Sequence, residues 1–214
     1  MGADSDSWKT KPTDRFVLKW IKCHLSARIT PRLTTITWLK PWMITICSSC
    51  LGVMGGVVFG LGWGWLAGLL GICSQVLDGV DGQFARLTGS QSAAGAYLDS
   101  VLDRYSDGAM LIGLFVYLLH LPLLIPLWQM LILGSLAFIG SNLVSYSSAK
   151  AESLHIDLGK PTLASKGTRM AVMILCGLGS LLWAPLPIVA LCYLAVHPNV
   201  AVMNRIFQSF RSNP

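Results

Sequence analysis

Charged residues are scarce in this chain of 214 residues, of which aspartate, glutamate, lysine and arginine together make up 12%. Soluble domains carry about twice that share. Hydrophobic residues make up 53%, and the mean hydropathy is +0.60. So few charges cannot cover so much apolar surface in water, which excludes an ordinary soluble domain and indicates a protein whose solvent is lipid.

The usual metal-binding patterns of cysteine and histidine are also missing. Cys47 and Cys50 form a C-x-x-C pair, but no second pair or histidine follows at zinc spacing. The four histidines show no ligand spacing either, and we assign them no function. We interpret all six cysteines as small apolar residues buried in the protein.

The first 42 residues are polar and then amphipathic. No short apolar segment opens them, so we expect no cleavable signal peptide. Apolar residues begin with Phe16 and Val17 and recur at near-helical spacing as far as Leu25, with Lys19 and Lys22 between them. This pattern predicts an amphipathic helix that lies in the lipid headgroup plane, packs against the protein's own membrane helices, or does both.

Six apolar segments follow, and each approaches the roughly 20 residues with which a helix crosses a bilayer. Lipid offers no partners to backbone hydrogen-bonding groups, so such spans are helices. The sequence therefore predicts an all-α membrane protein with a cytoplasmic segment over 1–42, a six-helix catalytic domain over 43–203 and a cytoplasmic tail over 204–214. The predicted spans are 43–61, 63–86, 93–120, 123–147, 169–183 and 186–203.

The positive charges predict how these spans are oriented. All 16 Lys and Arg residues lie in the N-terminal segment, in the tail, or in and beside the second-to-third and fourth-to-fifth connections. The three other connections carry none. By the positive-inside rule, both termini and the two charged connections face the cytoplasm, and the protein resides in the cell membrane.

Acidic residues are concentrated where a membrane disfavours them. Five of the ten lie within thirty residues that otherwise form the second and third spans. Such carboxylates are costly and are usually functional. Asp78 and Asp81 share one helix face, and Asp99 and Asp103 share a face of the next helix. If the connection brings both faces together, four carboxylates converge on a site that fits two Mg²⁺ or Mn²⁺ ions, an arrangement that suits phosphoryl transfer.

Charge pairing without a metal is the competing interpretation of these carboxylates. Only Arg86 and Arg104 are close to them in sequence, and two cations against five anions leave three uncompensated. We therefore expect the cluster to need a metal, and Arg86 has the guanidinium geometry to bind a diphosphate. Gly79, Gly82 and Gly95 fit either the close approach of a ligand or tight helix packing.

The residues from Asp78 to Asp103 fill every position of one family pattern. The run D-G-V-D-G-Q-F-A-R ends at Arg86, and Gly95 follows after eight residues, then Asp99 and Asp103 at steps of four. This stretch resembles the motif of the CDP-alcohol phosphotransferase (CDP-alcohol phosphatidyltransferase) family. The predicted six spans and amphipathic N-terminal helix are similar to that family as well.

The resemblance implies a reaction and a role for each motif residue. An alcohol attacks the β-phosphorus of a CDP-linked donor, such as CDP-diacylglycerol or CDP-inositol, and CMP leaves. Trp42 departs from the family pattern, which often has asparagine there, and removes any hydrogen bond that the asparagine makes. The implied metal ligands are Asp78, Asp81, Asp99 and Asp103, with Asp103 also the general base. The implied donor-binding residues are Gly79, Gly82, Ala85, Arg86 and Gly95.

The acceptor half of the site has a weaker sequence signal. Lys150, Lys166 and Arg169 resemble basic residues of the inositol-phosphate-using branch, which predicts a phosphorylated acceptor. Cytoplasmic cations that obey the positive-inside rule have the same distribution, and Ser148 stands where some of those relatives carry a cation. A di-inositol-phosphate, an inositol phospholipid and a glycerophosphate phospholipid all stay open as products. The resemblance also implies a homodimer, and we expect no nucleic-acid partner.

Two other classes of protein can keep carboxylates inside a membrane. A cation transporter would place them near the midplane and between internal repeats. The sequence shows no convincing repeat, and the cluster falls near the cytoplasmic end. A catalytically idle scaffold would tolerate loss of a motif aspartate, and none is lost. The enzyme is therefore the favoured interpretation.

Overall fold

The computed structural model describes residues 8–10, 16–122, 125–156 and 164–212, and every regular element within them is helical. This confirms the predicted all-α class for that part of the chain. The rest of the predicted N-terminal segment and tail lies outside the described residues, as do the side chains of Phe16 and Val17. The elements are α1 (Phe16–Ile21), a π-helical turn (Lys22–Ser26), α2 (Ala27–Leu33), α3 (Pro41–Gly60), α4 (Gly64–Leu87), α5 (Ala93–Leu119), α6 (Leu127–Ser153), α7 (Lys166–Gly179) and α8 (Pro187–Ser212).

Three of these helices are long and apolar enough to cross a membrane, namely α3, α6 and the part of α8 over Pro187–Phe210. Two others, α4 and α5, are also long but carry the aspartates. The 14 residues of α7 give about 21 Å of helix, against a bilayer core of about 30 Å. Membrane character is therefore clear in three helices, and the six-span arrangement stays a prediction.

Local sequence signals determine where several helices begin and end. Pro41 and Pro187 open α3 and α8, because the first turn of a helix does not need the N–H that proline lacks. The Ser92 hydroxyl accepts a hydrogen bond from the Gly95 N–H at 3.0 Å and so caps α5. Gly89, just beyond α4, has a φ of +64°, which glycine adopts without steric cost. Gly89 and Ser92 belong to the short connection that separates the two aspartate-bearing helices, α4 and α5.

Helix α3 packs closely against both α4 and α5, while α6 packs against α8 and α7 lies against α4 and α8. The α3–α5 contact is backbone to backbone, since a Cβ atom on Gly113 would overlap the Gly56 carbonyl group. Small residues permit this approach between membrane helices. The most deeply buried apolar side chains between the helices include Phe59, Met110, Leu114, Leu191 and Leu194.

We expect Gly113→Ala to lower the free energy of unfolding by about 1–3 kcal/mol, the usual cost of overpacking. The added methyl group would force α5 away from Gly56 of α3. Gly60→Ala is the matched control, because a Cβ there would lie 3.6 Å from its nearest neighbour, an ordinary contact. Thermal unfolding in detergent measures the difference, and equal melting temperatures for the two variants would contradict the close crossing.

The prediction that all six cysteines are buried is wrong. Among them, all within the described residues, only Cys176 is buried, and each is a free thiol. Cysteine behaves as a small hydrophobe, so an apolar run does not distinguish a core position from a helix surface that faces lipid. The exposed cysteines are Cys47, Cys50, Cys73 and Cys192, and Cys23 is partly exposed.

Candidate active site

The chemically active side chains lie together at one end of the bundle, where α3, α5 and α7 begin and where α4, α6 and α8 end. Thr45 in the first turns of α3 contacts Asp81 near the end of α4. Lys166, the first residue of α7, contacts Asp103 of α5. Arg205 of α8 donates hydrogen bonds to the last turns of α6. The helix directions therefore alternate, and six helix termini surround one site.

Three of the predicted metal ligands converge at this end. Oxygen atoms of Asp78, Asp99 and Asp103 lie within 4.8 Å of one another, so a single cation could contact all three. Asp78 comes from α4, whereas Asp99 and Asp103 lie about one helical turn apart on α5. Carboxylate oxygens are the ligands that Mg²⁺ and Mn²⁺ prefer. The residues present therefore fit a hard divalent cation.

The fourth predicted ligand, Asp81, lies beside this cluster. Its residue surface is 6% exposed, and its carboxylate accepts hydrogen bonds from the Thr45 hydroxyl at 2.7 Å and from the Gly82 backbone N–H at 2.5 Å. The Thr45 bond holds the carboxylate against α3, and the Gly82 bond comes from α4 itself. The sequence interpretation gave Thr45 no role, because nothing in the local pattern shows that α3 and α4 meet at these two residues.

An ammonium group lies between two of the clustered carboxylates. The Lys166 Nζ is 2.8 Å from Oδ1 of Asp78 and 2.6 Å from Oδ1 of Asp103. The sequence predicted this lysine at the acceptor, 88 residues away from Asp78 along the chain. The premise that only Arg86 and Arg104 can pair with the aspartates is therefore wrong, because α7 packs against α4 and brings Lys166 to the cluster.

The fifth aspartate, Asp107, belongs to an ion network beside the cluster, and Arg104 connects the two because its Nη2 lies 3.9 Å from Oδ2 of Asp103. Arg169, only 2% exposed, places Nη2 at 3.2 Å from Oδ2 of Asp107 and donates through Nη1 to the Ala164 carbonyl at 2.7 Å. Arg104 approaches the same Asp107 oxygen at 3.5 Å and also contacts the Ser145 hydroxyl. Two guanidinium groups thus compensate this carboxylate. The predicted acceptor residue Arg169 is therefore already engaged by Asp107 and by the Ala164 carbonyl.

A cavity of about 730 Å³ opens beside the aspartates, between the start of α3, the end of α4 and the start of α5. This volume is within the range of small-molecule sites. Asp81 and Asp99 line the cavity, and so does Trp42, the residue that departs from the family pattern. Four of the five predicted donor-binding residues also line it: Gly82, Ala85, Arg86 and Gly95.

The fifth, Gly79, faces a different part of the molecule. A Cβ atom there would overlap the Ser26 hydroxyl, so the missing side chain lets the π-helical turn lie on α4. The Ser26 hydroxyl donates to the Val76 carbonyl at 2.8 Å, and the Thr30 hydroxyl donates to Oε1 of Gln83 at 2.7 Å. The amphipathic segment therefore packs against the protein's own helix, and its depth relative to the lipid headgroups stays a prediction.

Gln83 connects this segment to the cavity. It is 0% exposed, and its Nε2 donates to the carbonyls of Lys9 at 2.8 Å and Lys22 at 2.9 Å. One turn later, Nε of Arg86 donates to the Trp8 carbonyl at 2.7 Å. The N-terminal backbone thereby helps to orient the arginine of the cavity wall. Sequence reasoning missed Gln83 because its partners lie 61 and 74 residues away.

The predicted acceptor residue Lys150 lies exposed in the last turn of α6. A different cation reaches this helix end from α8: Nη1 of Arg205 donates to the hydroxyls of Ser147 at 2.7 Å and Ser148 at 2.9 Å. The sequence has serine at 148 where some relatives of the inositol-phosphate branch carry a cation. The packing of α8 on α6 supplies a guanidinium there.

Fold and site define a class of protein: a helical membrane-type bundle with a carboxylate cluster beside a cavity of small-molecule size. The family model described as CDP-alcohol phosphatidyltransferase matches residues 38–204, and the chain belongs to that family. The family resemblance seen in the aspartate motif is thereby confirmed.

The sequence relatives include two that are named as synthases of inositol-containing lipid phosphates. The phosphatidylinositol phosphate synthase of Cutibacterium acnes is 32% identical over 192 residues, which cover 85% of this chain and 86% of that protein. The archaetidylinositol phosphate synthase of Pyrococcus horikoshii is 31% identical over 140 residues, which cover 65% of this chain and 70% of that protein. The bifunctional IPC transferase and DIPP synthase of Thermococcus kodakarensis is 35% identical over 133 residues, but this chain spans only 29% of its length.

The fold is shared with solved structures. The crystal structure of Mycobacterium tuberculosis phosphatidylinositol phosphate synthase with CDP-DAG bound has a TM-score of 0.76 at 23% identity, covering 88% of this chain and 95% of that one. The structure of the same protein with manganese and citrate has a TM-score of 0.77 at 23% identity, with 88% and 90% covered. At this identity the likeness shows the common fold.

Proposed function

We propose that this protein is a metal-dependent CDP-alcohol phosphotransferase that moves a phosphatidyl-type group from a CDP-linked lipid to a hydroxyl acceptor and releases CMP. The observation that carries the proposal is the cavity wall, in which Asp81, Asp99 and Arg86 lie next to the three-carboxylate cluster. The relatives named phosphatidylinositol phosphate synthase and archaetidylinositol phosphate synthase support this reaction class.

The donor is held by small residues and one guanidinium. Gly82, Ala85 and Gly95 leave room along the wall of the cavity for a flat base and ribose. Arg86 is held through its Nε by the Trp8 carbonyl, and its guanidinium suits a diphosphate.

The reacting groups meet at the aspartates. When bound to Asp78, Asp81, Asp99 and Asp103, two Mg²⁺ or Mn²⁺ ions would neutralise the diphosphate and the charge on the leaving CMP. The acceptor oxygen forms a bond to the β-phosphorus as the bond from that phosphorus to the bridging oxygen breaks, and the electron pair leaves with CMP. Asp103 takes the hydroxyl proton.

We further propose that the acceptor is a phosphorylated inositol. Of the predicted residues, Lys166 lies beside Asp103, whereas Arg169 is occupied by Asp107 and Lys150 is exposed. Arg205, held at the end of α6, adds a cation that can reach a phosphate on the same side. Cations from two helices, α7 and α8, at the same end of the bundle suit a dianionic phosphate.

We also propose six crossings of the cell membrane, with the active site and both termini on the cytoplasmic side. The alternating helix directions support the repeated crossings. The distribution of Lys and Arg in the sequence supports the same orientation, by the positive-inside rule. A homodimer is also proposed, from the small-residue helix faces. The transporter alternative finds no support among the named relatives, which are synthases and transferases.

CMP release tests the proposal directly. We expect the purified protein, in detergent with Mn²⁺ or Mg²⁺, to release CMP from CDP-diacylglycerol only when an acceptor is present, and inositol phosphate to outperform inositol and glycerol phosphate. Chelation by EDTA should abolish release, and added Mn²⁺ should restore it. Absence of CMP with every pair of donor and acceptor, from protein that is folded, would reject the enzyme. Preference for glycerol phosphate would keep the reaction and change the acceptor.

A further inference from the structure

We infer that the Lys166 ammonium is a built-in counter-ion of the metal site: it holds together Asp78 and Asp103 when no divalent cation is bound, and it is displaced when one binds. This inference rests on the proposed metal-dependent function. It assigns Lys166 a function before any substrate arrives, in addition to the proposed contact with the acceptor.

The ammonium group occupies the place between two carboxylates that a divalent ion would also need. Lys166 Nζ contacts Oδ1 of both Asp78 and Asp103, at 2.8 and 2.6 Å, and these residues supply two of the three carboxylates that lie within 4.8 Å of one another. A divalent ion takes oxygen ligands at about 2.0–2.6 Å. Such an ion on the same carboxylates would lie a few ångströms from the ammonium group, where the two positive charges repel.

The exchange needs only a side-chain rotation. Lysine carries its charge on a flexible four-carbon stem, and the Lys166 side chain is 17% exposed, so it has a route out of the cluster. The helix behind it stays in place, because Arg169 of α7 is fixed by Asp107 and by the Ala164 carbonyl. Arginine at 169 therefore acts as the anchor, and lysine at 166 as the movable charge.

Two properties of the protein follow from this exchange. Without metal, the ammonium group offsets the repulsion between carboxylates and keeps the end of the bundle folded. On metal binding, the released ammonium stays within its own side-chain length of Asp103, beside which the acceptor hydroxyl is expected to react. Metal loading would thus place a cation where a phosphorylated acceptor needs one.

Replacing Lys166 by methionine, which keeps the length and removes the charge, tests the inference through metal binding alone. We expect Lys166→Met to bind Mn²⁺ at least about tenfold more tightly than the unmodified protein, measured by electron paramagnetic resonance of free Mn²⁺ without donor or acceptor. The metal-free variant should also melt at a lower temperature, and Mn²⁺ should raise its melting temperature more.

Two further variants complete the experiment. Lys19→Met removes an equal charge from an exposed position on α1 and should leave Mn²⁺ affinity within about twofold, since exposed charges at a distance are screened. Lys166→Gln keeps hydrogen-bond donors for both carboxylates, so it serves if the methionine variant does not fold, and it should tighten Mn²⁺ binding as well.

Unchanged or weaker Mn²⁺ binding in the Lys166 variants would overturn the inference, and so would equal tightening in Lys19→Met. The proposed reaction is tested by a separate result, the release of CMP. If the Lys166 variants bind Mn²⁺ more tightly but the unmodified protein releases no CMP, the counter-ion role stands and the transferase does not. If the unmodified protein binds no Mn²⁺ at all, both are rejected.

Discussion

Replacing Asp103 by asparagine is expected to lower the rate of CMP release by about 100- to 10,000-fold, the usual contribution of a positioned general base, while most of the donor affinity survives. Asparagine keeps the shape of the side chain and one oxygen ligand but cannot take the acceptor proton. The Asp103 carboxylate lies beside Asp78 and Asp99 and faces Lys166, so it is placed between the expected metal site and the expected acceptor. Turnover is measured as CMP, and donor affinity by calorimetric titration with a CDP-lipid.

Asp78→Asn is the comparison variant, because it distinguishes the loss of a metal ligand from the loss of the general base. Asp78 belongs to the same cluster but lies on α4 with the donor motif, so its loss should weaken metal and donor binding together. If Asp103→Asn lost donor affinity to the same extent as Asp78→Asn, Asp103 would be a ligand only and the base would lie elsewhere.

Replacing Arg169 by methionine is expected to cost about 3–5 kcal/mol of stability, the usual result of removing one partner from a buried ion pair. Asp107 would keep only the longer contact with Arg104, at 3.5 Å, and the Ala164 carbonyl would lose its guanidinium donor. Chemical or thermal unfolding in detergent measures the loss. Arg32→Met, on an exposed position of α2, is the matched control and should change stability by less than about 0.5 kcal/mol.

A second change separates charge from packing. Adding Asp107→Asn to the Arg169→Met variant should recover part of the lost stability, because the buried carboxylate is then neutral. An acceptor role for Arg169 would have a different signature: an increase in acceptor KM at unchanged melting temperature. That result, with little loss of stability, would contradict the structural role of Arg169 argued from its burial.

Helix positions were predictable because the signals that produce them are local. Apolar length indicated the first span over 43–61, and α3 runs over Pro41–Gly60. The fourth predicted span ended at residue 147, but α6 continues to Ser153, because a helix is propagated by backbone hydrogen bonds that do not require apolar side chains. The spacing of Asp99 and Asp103 likewise placed both on one face before any fold was known.

The charge balance of the aspartates was not predictable in the same way. Counting cations near the aspartates in sequence found Arg86 and Arg104, whereas the structure adds Lys166 and Arg169 from α7. Their distances along the chain from Asp103 and Asp107 are 63 and 62 residues. An ion pair forms between groups that are close in space. No local pattern in the sequence shows which helices pack together when they are that far apart along the chain.

By itself, the sequence determined that the chain is helical and apolar, that its aspartates lie on two helix faces, and that its motif is that of the CDP-alcohol phosphatidyltransferase family. Each of these depends on composition or on spacing within a few helical turns. Only the tertiary structure decided that Asp81 is held by Thr45, that Lys166 lies inside the carboxylate cluster and that Gln83 ties the N-terminal segment to α4. These contacts join distant parts of the chain, and packing between whole helices, rather than any local pattern, selects them.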